Sequence, residues 1–238
     1  MANFDIINYD NCITNLTSSI QKHFGLTPNY KTNEIVDKYL NEKDYENVII
    51  FVFDGMGSAI IEKNTTEENY LRKNKVSNMF STYPPTTANC TTAFISGKNP
   101  VATGWLGWTS YIKELDICID NFPNCDTLTK EVFVEPGISY KKLPFKELGT
   151  SIEEETHGKV KYYSVWPSFK EGGCKSIKDF TNRIIKICNG EGKKYIYAYW
   201  DEPDASMHIA GTKNDMVKKI LNDISKCLKS IERKTKGA

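Results

Sequence analysis

The run NVIIFVF at 47–53 constrains this chain more than any other stretch. It is apolar, β-branched and aromatic almost throughout, with no polar alternation. Such a run fits a strand buried on both faces, as in a parallel sheet. KYIYAYW at 194–200 has the same character, and KVKYYSV at 159–165 reads as a third strand. Helical patterns alternate with these strands. One begins near Ser58. A second covers 177–188, with Phe180, Ile184, Ile187 and Cys188 on one face. The third covers 214–231 and turns Val217, Ile220, Leu221, Ile224, Leu228 and Ile231 inward. The alternation predicts an α/β fold with a mostly parallel central sheet flanked by helices. At 238 residues, a single domain is expected, with a cap or insertion at about 117–158, where periodicity is weak and turn formers are many.

Both long apolar runs end in carboxylates. The first is followed by Asp54-Gly55-Met56-Gly57, the second by Asp201-Glu202-Pro203-Asp204 and then His208. The carboxyl ends of parallel strands lie along one edge, where α/β sheets place their ligands. Nearby glycines allow close backbone approach. Asp54 reads equally as a turn aspartate opening a βα loop. No GxGxxG is present, so a dinucleotide fingerprint is absent. Asp204 and His208, four residues apart, have the spacing that lets one turn of helix supply two ligands to a zinc ion.

The third stretch is YPPTTANCTTAFISG at 83–97. Its prolines impose an extended approach, residues 88–96 read as a short helix, and Gly97 is its stop. Thr86 and Thr87 therefore stand at a helix N-terminus. There the unpaired N–H groups and the dipole favour an anion, such as an alkoxide attacking phosphorus. An ordinary capping threonine fits the same pattern. With Asp54 and a threonine oxygen on one ion and Asp204 and His208 on another, two metals roughly 3.5–4 Å apart could activate the hydroxyl and clamp a phosphoryl oxygen.

Further elements are expected as helices over 11–24 and 33–41, the latter capped by Asn33; a surface helix over 63–75; a strand over 127–134; and an acidic helix turn beginning at 153–155. Trp105 and Trp108 suggest an aromatic wall that packs more readily than it binds. His23 and His157 carry no expected function. The formal net charge of +1 gives no electrostatic case for nucleic acid or a membrane surface. No apolar run is long enough to span a bilayer. The beginning, MANFDIINYDNC, has no basic or apolar signal region. Seven cysteines, odd in number and without CxxC spacing, read as reduced thiols in a cytoplasmic protein, and argue against a cysteine-based zinc site.

Together, VIIFVFDGMG, YPPTTANCTTAFISG and YAYWDEPDASMH, in that order, resemble the alkaline phosphatase superfamily, in its type I phosphodiesterase/nucleotide pyrophosphatase branch. GWLGWTSYIKELD resembles the same branch, and the likeness covers most of 45–212. The resemblance implies a zinc-dependent hydrolase of small-molecule phosphate esters using two divalent ions. In it Asp54 ligates one zinc, and Thr87 is the nucleophile and a ligand of that zinc, with Thr86 as the fallback. Asp204 and His208 ligate the other. The implied reaction is in-line attack by Thr87, giving a phospho-threonine that water then hydrolyses. The branch also carries a later Asp-His-Gly and a further histidine, and no histidine follows His208 here. The resemblance therefore implies a C-terminally truncated form of a longer enzyme, which would bind metal weakly and be inactive as it stands. Trp108 stands where nucleotide-cleaving members hold a phosphate oxygen with asparagine, which argues against nucleotide substrates. A phosphomonoesterase or phosphomutase of the same superfamily, or a non-catalytic copy, is the alternative. A sulfatase is disfavoured, because no Cys/Ser-x-Pro-x-Arg occurs.

Overall fold

The computed structural model describes residues 8–235. Residues 1–7, part of the stretch read above for a signal, and the last three of the basic tail lie outside the described residues. In chain order the elements are α1 (Ile13–His23), α2 (Glu34–Leu40), β1 (Asn47–Phe53), α3 (Ser58–Asn64), α4 (Tyr70–Lys73), α5 (Thr87–Ser96), α6 (Pro100–Thr103), β2 (Thr109–Ile112), β3 (Ile117–Asp120) and β4 (Cys125–Asp126). They continue with α7 (Ile138–Lys142), α8 (Leu148–Glu155), β5 (Val160–Val165), α9 (Ile177–Cys188), β6 (Lys193–Trp200), α10 (Asp204–Ala210) and α11 (Asp215–Lys234). The chain divides into two compact units. Among the described residues, one comprises 8–43 and Met79–Thr156, the other Asp44–Asn78 and 157–235.

The second unit holds the predicted α/β architecture. Its sheet runs β1-β6-β5, with both pairings parallel. Ile196 and Ala198 of β6, with Phe53 of β1, face a core completed by Phe180, Ile184 and Cys188 of α9 and Val217, Leu221, Ile224 and Ile231 of α11. Each such side chain contributes roughly 1.5–3 kcal/mol by leaving water. Both helices start on side-chain caps. Ser176 accepts from the Asp179 amide at 3.2 Å, and Asn214 from the Met216 amide at 2.8 Å. Lys194 is buried to 1% exposure at the start of β6. Its Nζ donates to the carbonyls of Gly190 and Gly192 at 2.7 and 2.6 Å, satisfying acceptors in the turn between α9 and β6.

The surface helix expected over 63–75 does not form as one element. After α3, Thr65 is extended (φ −130°, ψ 156°), and only Tyr70–Lys73 is helical. The run Asn-Thr-Thr favours local side-chain bonds over helix: Thr65 Oγ1 donates back to Ile61 O at 2.6 Å.

In the first unit α1 packs against α2 and α5, and α5 against α8, while α7 packs against a small antiparallel sheet, β2-β3-β4. Asn33 caps α2 as expected, accepting from the Ile35 and Val36 amides. The expected strand over 127–134 is absent. Asp126 Oδ1 accepts from the Leu128 and Thr129 amides, both at 2.8 Å, and Lys130 turns the chain at φ 62°. This aspartate turn overrides the β-propensity of the threonine, valine and phenylalanine that follow. Residues 153–155 close α8 instead of beginning a helix.

Candidate functional site

In the second unit, register places the acidic residues together. Phe53 pairs with Trp200, so Asp54 and Asp201 leave neighbouring strands at the same level. The Asp54 amide still donates to Trp200 O at 2.9 Å, and the Asp204 amide donates to Asp54 O at 3.0 Å. The chain leaving β6 thus folds back onto the end of β1. Gly55 permits this. It sits at φ 68°, and a Cβ there would lie 2.6 Å from Met207 Cε and 3.0 Å from Asp204 Cα. Asp204 is the first residue of α10, and His208 lies one turn on, its Nε2 3.2 Å from Asp204 Oδ2. Glu202 anchors the helix start by accepting from the Ser206 amide and hydroxyl at 3.0 and 2.8 Å. The predicted helical Asp-His pair and the strand-end Asp54 are therefore neighbours in one unit.

Negative charge accumulates at these strand ends. Burial, and then the charge of Asp54, hold the Asp204 carboxyl above its usual range, against the opposing pull of His208. Burial likewise raises Asp201, with Glu202 and Asp54 adding to it and its own backbone bond opposing. One Asp54 oxygen accepts from the Gly55 amide at 2.9 Å, the other from the Tyr199 hydroxyl at 2.7 Å. Burial, and then Asp54, push the Tyr199 phenol well above its ordinary value, so it stays protonated and donates.

Two carboxylates and an imidazole are a donor set suited to a divalent ion such as zinc. A bound cation would offset the burial and like charge that raise the Asp204 carboxyl. The donor chemistry of Asp54, Asp204 and His208 therefore fits the metal that the sequence resemblance implies. Among the described residues, no three His, Cys, Asp or Glu side chains are drawn together into a ready metal-binding group.

Thr87 belongs to the first unit, as the first residue of α5, and is half-buried. Thr86 is the N-cap, with extended backbone (φ −111°, ψ 153°). Its hydroxyl donates to Asn89 Oδ1, and the Asn89 amide group donates back to Pro84 O. Gly97 ends the helix at φ 67°, as predicted. Trp105 is fully buried. Its ring meets Phe122, Tyr140 and Phe145, and its Nε1 donates to Leu143 O at 2.9 Å. Trp108 is 42% exposed and stands edge-on to Phe122. Its carbonyl accepts from the Asn121 amide at 2.9 Å.

Three contributors escaped the sequence reading. Tyr199 lay inside a run read only for burial. Asn89 stands three residues after Thr86, a capping-box spacing that could have revealed it. Asp120, which fixes the hairpin next to Trp108, gives no local signal. Comparison of the chain with models of known protein families, and with curated proteins, gives no match.

Proposed function

We propose that this protein is a metal-dependent hydrolase of small-molecule phosphate esters, phosphodiesters foremost, with Thr87 as nucleophile. The observation that carries the reading is the hydrogen bond from the Asp204 amide to Asp54 O. It brings an aspartate from one strand end beside the aspartate–histidine pair from the next. Asp54, Asp204 and His208 would hold divalent ions, zinc foremost. When bound, such ions would stabilise charge on the phosphoryl oxygens.

Thr87 Oγ1 forms a bond to phosphorus and the bond from phosphorus to the leaving oxygen breaks, the proton of the hydroxyl ending on the departing alcohol. Water then hydrolyses the phospho-threonine and restores the hydroxyl. Its place in the first turn of α5 sets Thr87 where main-chain N–H groups and the helix dipole favour developing negative charge. Thr86, whose hydroxyl donates to Asn89 Oδ1, is the fallback nucleophile. Trp108, half-exposed, is the candidate contact for the substrate. The test is release of aryl alcohol from an aryl phosphodiester by the zinc-supplied protein. With the metal sites filled, turnover is expected in wild type and Thr86→Ala and is lost in Thr87→Ala. Undiminished turnover in Thr87→Ala would refute the assignment.

A further inference from the structure

The end of β6 carries a tyrosine whose placement serves Asp54 more than the sheet. Tyr195, Tyr197 and Tyr199 alternate along β6, and all three are buried, at 1%, 1% and 5% exposure. Tyr197 has a buried hydroxyl with no hydrogen-bond partner. Tyr199 differs: its hydroxyl reaches across to β1 and donates to Asp54 Oδ2 at 2.7 Å. Its ring is held by Trp166, with centroids 5.2 Å apart and planes at 37°, and by Phe169, edge-on at 6.1 Å. The donor therefore sits on a rigid strand with its ring confined by two aromatic neighbours. The Gly55 amide fixes the other Asp54 oxygen at 2.9 Å. A donor on each oxygen confines the carboxylate to one orientation.

We propose that Tyr199 is the positioning residue for Asp54: its hydroxyl holds the carboxylate in the single orientation in which it can ligate a divalent cation. This rests on the metal-dependent reading above and assigns a residue which that reading leaves out. The physical role is that of an outer hydrogen-bond partner, which orients a ligand before the ion arrives. Without it, part of the binding free energy goes to ordering the carboxylate.

The experiment is a zinc titration by calorimetry on four full-length proteins: wild type, Tyr199→Phe, Asp54→Asn and the double variant. Tyr199→Phe keeps the ring and its packing and removes only the hydroxyl. It is expected to weaken zinc binding by about tenfold, at the low end for outer-shell partners. In the Asp54→Asn background the same change is expected to cost nothing further, because the oriented carboxylate is already gone. A merely structural role for the hydroxyl would weaken both backgrounds alike, and that result would overturn the inference. Unchanged affinity in Tyr199→Phe would overturn it too while leaving the metal reading intact. A wild-type protein that binds no zinc would overturn both. A second measurement needs no change at Tyr199. In fluorotyrosine-labelled protein, zinc should move one tyrosine resonance in wild type and none in Asp54→Asn. A tyrosine spectrum unmoved in zinc-saturated wild type would contradict the proposal.

Discussion

Gly55 decides how closely the two acidic strand ends approach. Its φ of 68° lies in the left-handed region, and its missing Cβ is what lets Asp204 and Met207 come so near. Gly55→Ala meets backbone as well as the flexible end of a methionine. It should destabilise the protein by roughly 1–3 kcal/mol, combining left-handed strain with overpacking. Urea unfolding checks this; a change within a few tenths of a kcal/mol would mean that the loop relaxes freely. Asp54 was legible because a long apolar run stops abruptly at a carboxylate. Tyr199 was not. Alternation along a strand tells which side chains share a face, but only the pairing of Phe53 with Trp200 tells which end meets Asp54. The spacing of Asp204 and His208 was readable because helical periodicity is local, whereas cross-strand neighbours depend on register.

At the scale of elements, the β2–β3 hairpin depends on one buried carboxylate. Asp120 accepts from Thr109 at 2.8 Å, Thr127 at 3.0 Å and Lys130 Nζ at 2.7 Å. Burial alone would raise its pKa, but these donors, Lys130 foremost, outweigh it and hold the carboxyl below its usual range. A carboxyl depressed in the folded state stabilises the fold above the ordinary value of 3.8, and that stabilisation is lost as pH falls below it. Asp120→Asn should therefore cost roughly 1–3 kcal/mol near neutral pH. It should also flatten the loss of stability in acid. Denaturation curves at neutral pH and below pH 4 would show it, and parallel losses in wild type and variant would contradict it. In the other unit, Lys194 satisfies two carbonyls of the turn before β6. Lys194→Met keeps the stem and strands those acceptors, so a destabilisation of about 1–3 kcal/mol is expected in urea. Helices α9 and α11 were readable from their apolar stripes and α2 from its cap, whereas the helix expected over 63–75 breaks at Thr65. The strand expected over 127–134 was not a strand because two main-chain bonds to Asp126 outweighed β-propensity.

For the whole molecule, the parallel β1-β6-β5 sheet with α9 and α11 against it is the α/β pattern that the alternating runs predict. No helix among the described residues is long and apolar enough to cross a membrane. Thr87 and Trp108 belong to one unit; Asp54, Asp204 and His208 belong to the other. A parallel sheet was legible because strands buried on both faces read as unbroken apolar runs. The small antiparallel sheet was not, since β2, β3 and β4 are short and drawn together by polar side chains such as Asp120. The central claim is that the acidic strand ends hold a metal. Calorimetric titration of the protein with Zn2+ tests it most directly. The account predicts saturable binding that Asp204→Asn and His208→Ala each weaken at least tenfold, about 1.4 kcal/mol. Binding absent in the wild type, or unaltered by both substitutions, would contradict it.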